Sequence, residues 1–158
     1  MNDIIHETNN FTLVNVENPL ISREEGGHII ITMKNPVTDR TKLNPGAAKE
    51  LMRLTMLAGE AMETAMNNRG IPVVKINYAD FGNGAFRSKN PKPQLHVHIF
   101  GRAKNAVKQK FPNPPYLAGT DDPGFFDNFE PLDDEDIEEI QKQIALLEKL
   151  EKYNASNW

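Results

Sequence analysis

Two histidines one residue apart, His96 and His98, stand in the segment Gln94-Leu95-His96-Val97-His98-Ile99-Phe100. In an extended strand side chains alternate, so Gln94, His96, His98 and Phe100 share one face. Leu95, Val97 and Ile99 share the other. Two imidazoles about 7 Å apart along a strand add nothing to folding. They suit the holding of a phosphate or a metal, because a neutral imidazole nitrogen is a nucleophile near pH 7 and also a ligand.

The surrounding charge separates these chemistries. Between residues 81 and 120 there is no Asp or Glu, while Arg87, Lys89, Lys92, Arg102, Lys104, Lys108 and Lys110 supply seven positive charges. Such a collar favours an anionic ligand. From Asp121 to Glu151 the sign reverses, with twelve acidic residues against Lys142 and Lys149. The formal net charge of −4 therefore hides an acidic tail at −10 and a remainder at +6. A cupin-type metal site would also need a third His and usually a Glu. Only His6 and His28 remain, and His28 completes such a set only if its strand adjoins that of His96. No metal and no cofactor are expected.

A chain of 158 residues forms one domain with a core of its own. The absence of Cys excludes disulfides, thiolate nucleophiles and Cys-containing zinc sites. No apolar run approaches the ~20 residues that cross a bilayer. Residues 1–10 lack the basic and apolar regions of a signal peptide, so the expected location is cytoplasmic, with no membrane partner. A polynucleotide is not the expected partner, since the basic stretch is short, rich in Pro and Gly, and poor in stacking residues. A nucleotide or other phosphorylated small molecule fits the scale.

The elements that must position the histidines are legible by pattern. Phe11–Val16 alternates and His28–Met33 is a buried apolar run, and both read as strands. Asn44 caps a helix that begins with Pro45 and runs to about Asn68. Its stripe is Ala47, Leu51, Leu54, Ala58, Ala61 and Ala65, flanked by methionines that read as core or dimer packing. Gly70 ends the helix, Pro72–Tyr78 is the next strand, and 80–93 is a loop leading into the histidine strand. The order β–β–α–β–β predicts an α+β fold, an antiparallel or mixed sheet carrying one long helix. His6 reads as an exposed residue of a polar terminus.

Beyond Gly101 the chain turns rich in helix and strand breakers, at 111–116 and 120–124, with Phe125, Phe126 and Phe129 as aromatic anchors. Asp133 or Asp134 then caps a helix to about Tyr153, whose acidic first turn suits the helix dipole. Ile137, Ile140, Ile144, Leu147 and Leu150 form its apolar face. Residues 1–102 are thus read as the main domain, and 103–158 as a loop-and-helix extension packed on it.

The segment 94–100 resembles the histidine-triad (HIT) signature, His-φ-His-φ-His-φ-φ with φ apolar, with Gln94 at the first His. The Phe11–Asn15 strand, the Gly26-Gly27-His28 strand start, the capped helix and the strand through Asn77 are similar to that family's order of elements over residues 10–102. The resemblance implies a HIT-like antiparallel sheet with one long helix. It also implies a nucleotidyl hydrolase or transferase acting on a nucleoside phosphate ester, anhydride or phosphoramidate. On that reading His96 is the nucleophile that forms a covalent nucleotidyl-histidine, and His98 hydrogen-bonds the phosphate. Asn15 maps onto a ribose contact, His28 onto the cleft lining, Asn77 onto a position near sugar or phosphate, and Arg102 onto a phosphate contact. Gln94 cannot titrate, but its amide can orient the nucleophile or hold a phosphate oxygen.

Where the family carries a Gly-Gln-Ser/Thr phosphate loop this chain has Ser88–Pro93, so Lys89 and Lys92 would supply charge in place of those contacts. Pro36 stands where a zinc-ligand His would be expected, so no such zinc is expected. The resemblance further implies a homodimer, with the long helix and a sheet edge as candidate interfaces. The alternatives are a nucleotide-binding sensor or adaptor with little turnover and, further off, a His-x-His metal enzyme.

Overall fold

A computed structural model describes residues 3–119 and 121–158. Met1, Asn2 and Thr120, the last of which opens the second breaker-rich stretch, lie outside the described residues. Strands β1 (Ile4–Glu7), β2 (Phe11–Asn15), β3 (His28–Met33), β4 (Val73–Ala79) and β5 (His96–Ala103) form one sheet in the order β1-β2-β3-β5-β4. Every neighbouring pair is antiparallel. Helix α1 (Pro45–Asn68) precedes β4, and α2 (Asp134–Leu147) follows β5.

Strand alternation divides the sheet into two faces. Phe11, Leu13, Ile29, Ile31, Val97 and Ile99 point to the face covered by α1, whose Leu54, Leu57, Ala58, Ala61, Met62 and Ala65 are wholly buried. Each large apolar side chain removed from water there contributes about 1.5–3 kcal/mol. The register pairs Ile30 with His98 and Thr32 with His96, so the histidines occupy the opposite face. The cap of α1 is as expected, with Asn44 Oδ1 accepting from the Ala47 N–H at 2.9 Å and Pro45 in the first turn.

Four expectations are corrected. An additional strand, β1, pairs with β2 at the sheet edge. His6 is accordingly not an exposed terminal residue but is half-buried within β1, with Nε2 3.3 Å from Glu148. Helix α2 stops at Leu147, short of Tyr153; a separate 3-10 turn spans Glu151–Tyr153, and Leu150 is exposed. Gln94 precedes β5 rather than belonging to it, so strand alternation does not place its side chain.

After β5 the chain runs back across the histidine face before α2 packs beside α1. Polar contacts with backbone groups hold it there. The buried Glu25 carboxylate accepts from the backbone N–H groups of Val107, Lys108 and Gln109 at 2.6–2.8 Å. The Gln109 side chain in turn bonds the Leu20 and Tyr116 carbonyls and the Tyr116 N–H. Tyr116, Phe125, Phe126 and Phe129 form an aromatic cluster with ring centroids 4.6–5.7 Å apart. Asp133 and Asp136 close a capping box at the start of α2, and the fully buried Asp136 receives Arg23 and Arg69. At the head of β3 the backbone of Gly26, with φ +129°, passes so close to Gly101 that a Cβ on Gly26 would lie 2.1 Å from the Gly101 carbonyl oxygen. Among the described residues no helix is long and apolar enough to cross a membrane.

Candidate active site

His96 and His98 line a cleft of about 490 Å³ on the open face of the sheet. Its polar lining is Arg87, Lys92, Gln94 and the two histidines; its apolar lining is Leu20, Phe81, Leu117, Ala118 and Phe126. The basic groups all come from the segment before β5, where Gly82 in the left-handed region starts a 3-10 turn over Asn83–Arg87. The apolar wall comes from the turn before β3, from Phe81, and from the extension. No carboxylate among the described residues lines the cleft.

Hydrogen bonding fixes the proton on each imidazole. The Leu20 N–H donates to Nδ1 of His28 at 3.1 Å, so neutral His28 carries its proton on Nε2. That nitrogen lies 2.9 Å from Nδ1 of His98 and donates to it, which places the proton of His98 on Nε2. Nδ1 of His96 lies 2.8 Å from the Gln94 carbonyl oxygen, which can only accept. Neutral His96 therefore keeps the lone pair of Nε2 available. The result is one nucleophilic nitrogen beside one hydrogen-bond donor, with ring centroids 4.7 Å apart.

Burial holds the inner pair neutral. His28 is pushed down to about 3, chiefly by desolvation and then by the charges of His98 and His96. His98 is pushed down to about 4 by desolvation and by His96, against a smaller upward pull from Asp80. His98 thus acts at pH 7 as a neutral N–H donor.

The other residues singled out in the sequence are placed as follows. His28 does not line the cleft but stands behind His98, stacked on it at 5.1 Å. Asn15 is buried, giving its amide N–H to the Leu132 carbonyl at 3.0 Å while its oxygen accepts from the Val16 N–H. Arg102 is buried at 1% exposure and spends its guanidinium on Asn77 Oδ1 and on the Gln109 and Asn113 carbonyls. Asn15, Asn77 and Arg102 therefore anchor the extension and are not brought to the cleft. Lys89 is exposed on the loop outside it, while Lys92 and Gln94 are in its lining. Gln94 touches His96 through its main-chain carbonyl. Leu20, Phe81, Arg87, Leu117 and Phe126 are cleft residues that sequence reading did not assign; only the charge of Arg87 and the aromatic character of Phe126 gave a signal.

Strand β3 does adjoin β5, so a third imidazole stands beside the pair. Its nitrogens are nevertheless engaged, Nδ1 by Leu20 and Nε2 by His98, leaving no lone pair for a metal. No group of three or more metal-ligating side chains occurs among the described residues.

An antiparallel five-stranded sheet with a long helix behind it and an imidazole-lined cleft in front defines a small α+β domain built to present histidines on its open face. The chain belongs to the HIT domain family, whose model matches residues 2–105. The fold is similar to that of a histidine triad (HIT) protein from Sinorhizobium meliloti 1021, at TM-score 0.61 and 18% identity, covering 92% of this chain and 88% of that one. A histidine triad protein from Marinobacter aquaeolei VT8 matches at TM-score 0.61 and 15% identity, with 92% and 88% covered. A hypothetical histidine triad nucleotide-binding protein from Sulfolobus tokodaii strain7 matches at 0.58 and 14%, with 94% and 87% covered. No curated protein sequence matches the chain.

Proposed function

We propose that the protein is a nucleotidyl hydrolase or transferase working through a covalent intermediate on His96. The observation that carries this reading is the paired hydrogen-bond pattern that frees Nε2 of His96 and puts a proton on Nε2 of His98 in one cleft. The lone pair of His96 attacks the α-phosphorus of a nucleotide, the bond to the leaving group breaks with its electron pair, and His98 donates to a non-bridging oxygen. The positive charge of the resulting imidazolium is stabilised by Nδ1–H donating to the Gln94 carbonyl. Water then attacks the phosphorus, returns neutral His96 and releases the nucleotide and a proton. Arg87 and Lys92 contribute charge at the phosphates, with Lys89 outside them. Leu20, Phe81, Leu117 and Phe126 offer the apolar wall for a nucleoside. Family membership supports nucleotide chemistry in general.

A second reading, a nucleotide-binding sensor with little turnover, is favoured by one feature: the lining residue at the first His of the triad signature is Gln94, which cannot titrate. Quenching the protein with α-labelled nucleotides separates the two. The enzyme traps label on His96 and loses it in His96→Ala; binding without label or product on wild type establishes the sensor.

The reading extends to a homodimer. Strand β4 is an open sheet edge, and Tyr78, Val74 and Met52 are about half exposed beside it and on α1. Sedimentation equilibrium of wild type against Met52→Lys with Tyr78→Lys tests this, the expected result being a dimer that dissociates in the double variant.

A further inference from the structure

We infer that the cleft selects phosphoric anhydrides, in which the displaced group is itself a phosphate, over phosphoramidates, in which it is an amine. The inference rests on the nucleotidyl-transfer reading above and narrows it to one substrate class. It follows from which proton donors and which cations share the space around His96.

A group displaced from phosphorus must accommodate the electron pair of the broken bond. A phosphate does so as a stable anion, whereas an amine needs a proton delivered as the P–N bond breaks. The cleft is poor in acids that can deliver one. The one N–H of neutral His96 is held by the Gln94 carbonyl at 2.8 Å. His98 has a proton on Nε2, but it is neutral and losing that proton would leave an imidazolate. No carboxyl group among the described residues lines the cleft, and Asp80, whose charge reaches His98, is engaged by Arg40 at 3.0 Å.

The same cleft is rich in charge that suits an anion. Arg87 and Lys92 both line it, and among the described residues neither is paired with a carboxylate. A guanidinium matches phosphate oxygens two at a time, and an ammonium adds a point charge. Attack by His96 Nε2 then forms the N–P bond as the bridging P–O bond breaks. The electron pair stays on the departing phosphate between Arg87 and Lys92, with no proton moved. Hydrolysis of the intermediate gives the nucleoside monophosphate and one proton. Among the described residues of the lining, the one other nitrogen acid is the Lys92 ammonium, and Lys92→Arg separates its charge from its proton.

Three substrates of one nucleoside are compared by kcat/KM: the 5′-diphosphate, the 5′-phosphoromorpholidate and the p-nitrophenyl ester of the 5′-monophosphate. The ester reads attack by His96 with a leaving group that needs neither acid nor an added phosphate. The diphosphate should exceed the phosphoromorpholidate by about tenfold or more, and Arg87→Gln with Lys92→Gln should lower the diphosphate-to-ester ratio about tenfold. Lys92→Arg should restore most of the part lost in Lys92→Gln. A phosphoromorpholidate turned over as fast as the diphosphate, an unmoved ratio, or a Lys92→Arg as poor as Lys92→Gln overturns the selection of anhydrides while nucleotidyl transfer stands. No label on His96 from any of the three removes both.

Discussion

Nε2 of His28 stands 2.9 Å from Nδ1 of His98, so a residue shut away from the cleft decides which nitrogen of a cleft residue bears the proton. The relay starts one step earlier, at the Leu20 N–H, and Leu20 also forms part of the cleft wall. The backbone before β3 is thereby coupled to the N–H donor that His98 carries in the cleft.

Removing the middle of this relay exposes its role. His28→Ala leaves Nδ1 of His98 unpaired and the Leu20 N–H without an acceptor. We expect a loss of about 1–3 kcal/mol in unfolding free energy and a fall of about tenfold in the rate of His96 labelling. Urea denaturation checks the first. Quenched-flow labelling checks the second, with ¹⁵N chemical shifts of His98 reporting the mixture of tautomers.

The buried histidines make the fold sensitive to acid in a window of its own. Unfolded, each binds a proton near 6.5; folded, His28 does so only near 3 and His98 near 4. Their depressed values favour the folded state fully above pH 6.5, and that contribution falls as pH drops toward the folded values. At pH 5 the loss is about 2 kcal/mol for each histidine. Urea titrations at pH 7.5 and 5 should show the drop, and His28→Gln should remove about half of it.

Arg102→Met should loosen the extension. It withdraws the donors to Asn77 and to the carbonyls of Gln109 and Asn113 at a buried position. The expected cost is about 3 kcal/mol. Hydrogen exchange should rise across residues 105–116 while the amides of α1 keep their protection. Unchanged exchange in that segment would refute the anchoring role.

Phe126 offers a test of the apolar wall. Phe126→Ala removes a ring that lines the cleft from the extension side. For the best-labelling nucleotide we expect KM to rise about tenfold with kcat little changed, since the lost contact acts equally on ground and transition states.

Gly26→Ala should be among the most damaging single changes. A Cβ there meets main-chain atoms of Gly101, which cannot swing aside, and φ at this position is +129°. A loss of about 3 kcal/mol or more is expected by thermal or urea unfolding.

Much of this architecture was legible because periodicity reports burial. The α1 stripe and the alternation of β5 announced which side faces the core, and those sides are buried, while the β3 run announced a buried strand without a side. Strand β1 escaped because four residues with two adjacent isoleucines carry no period; only pairing with β2 makes them a strand. In the site, His96 and His98 were readable because polar residues on an apolar strand are conspicuous. Asn15 and Arg102 were singled out through the family resemblance, yet they satisfy main-chain carbonyls 117 and 7–11 residues away in sequence. A buried polar side chain and a ligand-binding one look alike until the chain that crosses over it is known.

Glu25 grips three successive amides of the segment that follows the histidine strand. The histidine strand and the extension's share of the cleft wall are therefore adjacent stretches of chain separated by a fixed clasp. Stretches beyond that clasp can be exchanged for others of different length or side chains while β5 keeps its register. In such a layout the cleft wall can drift across generations without disturbing the paired imidazoles, because the two are inherited as separable parts of one polypeptide.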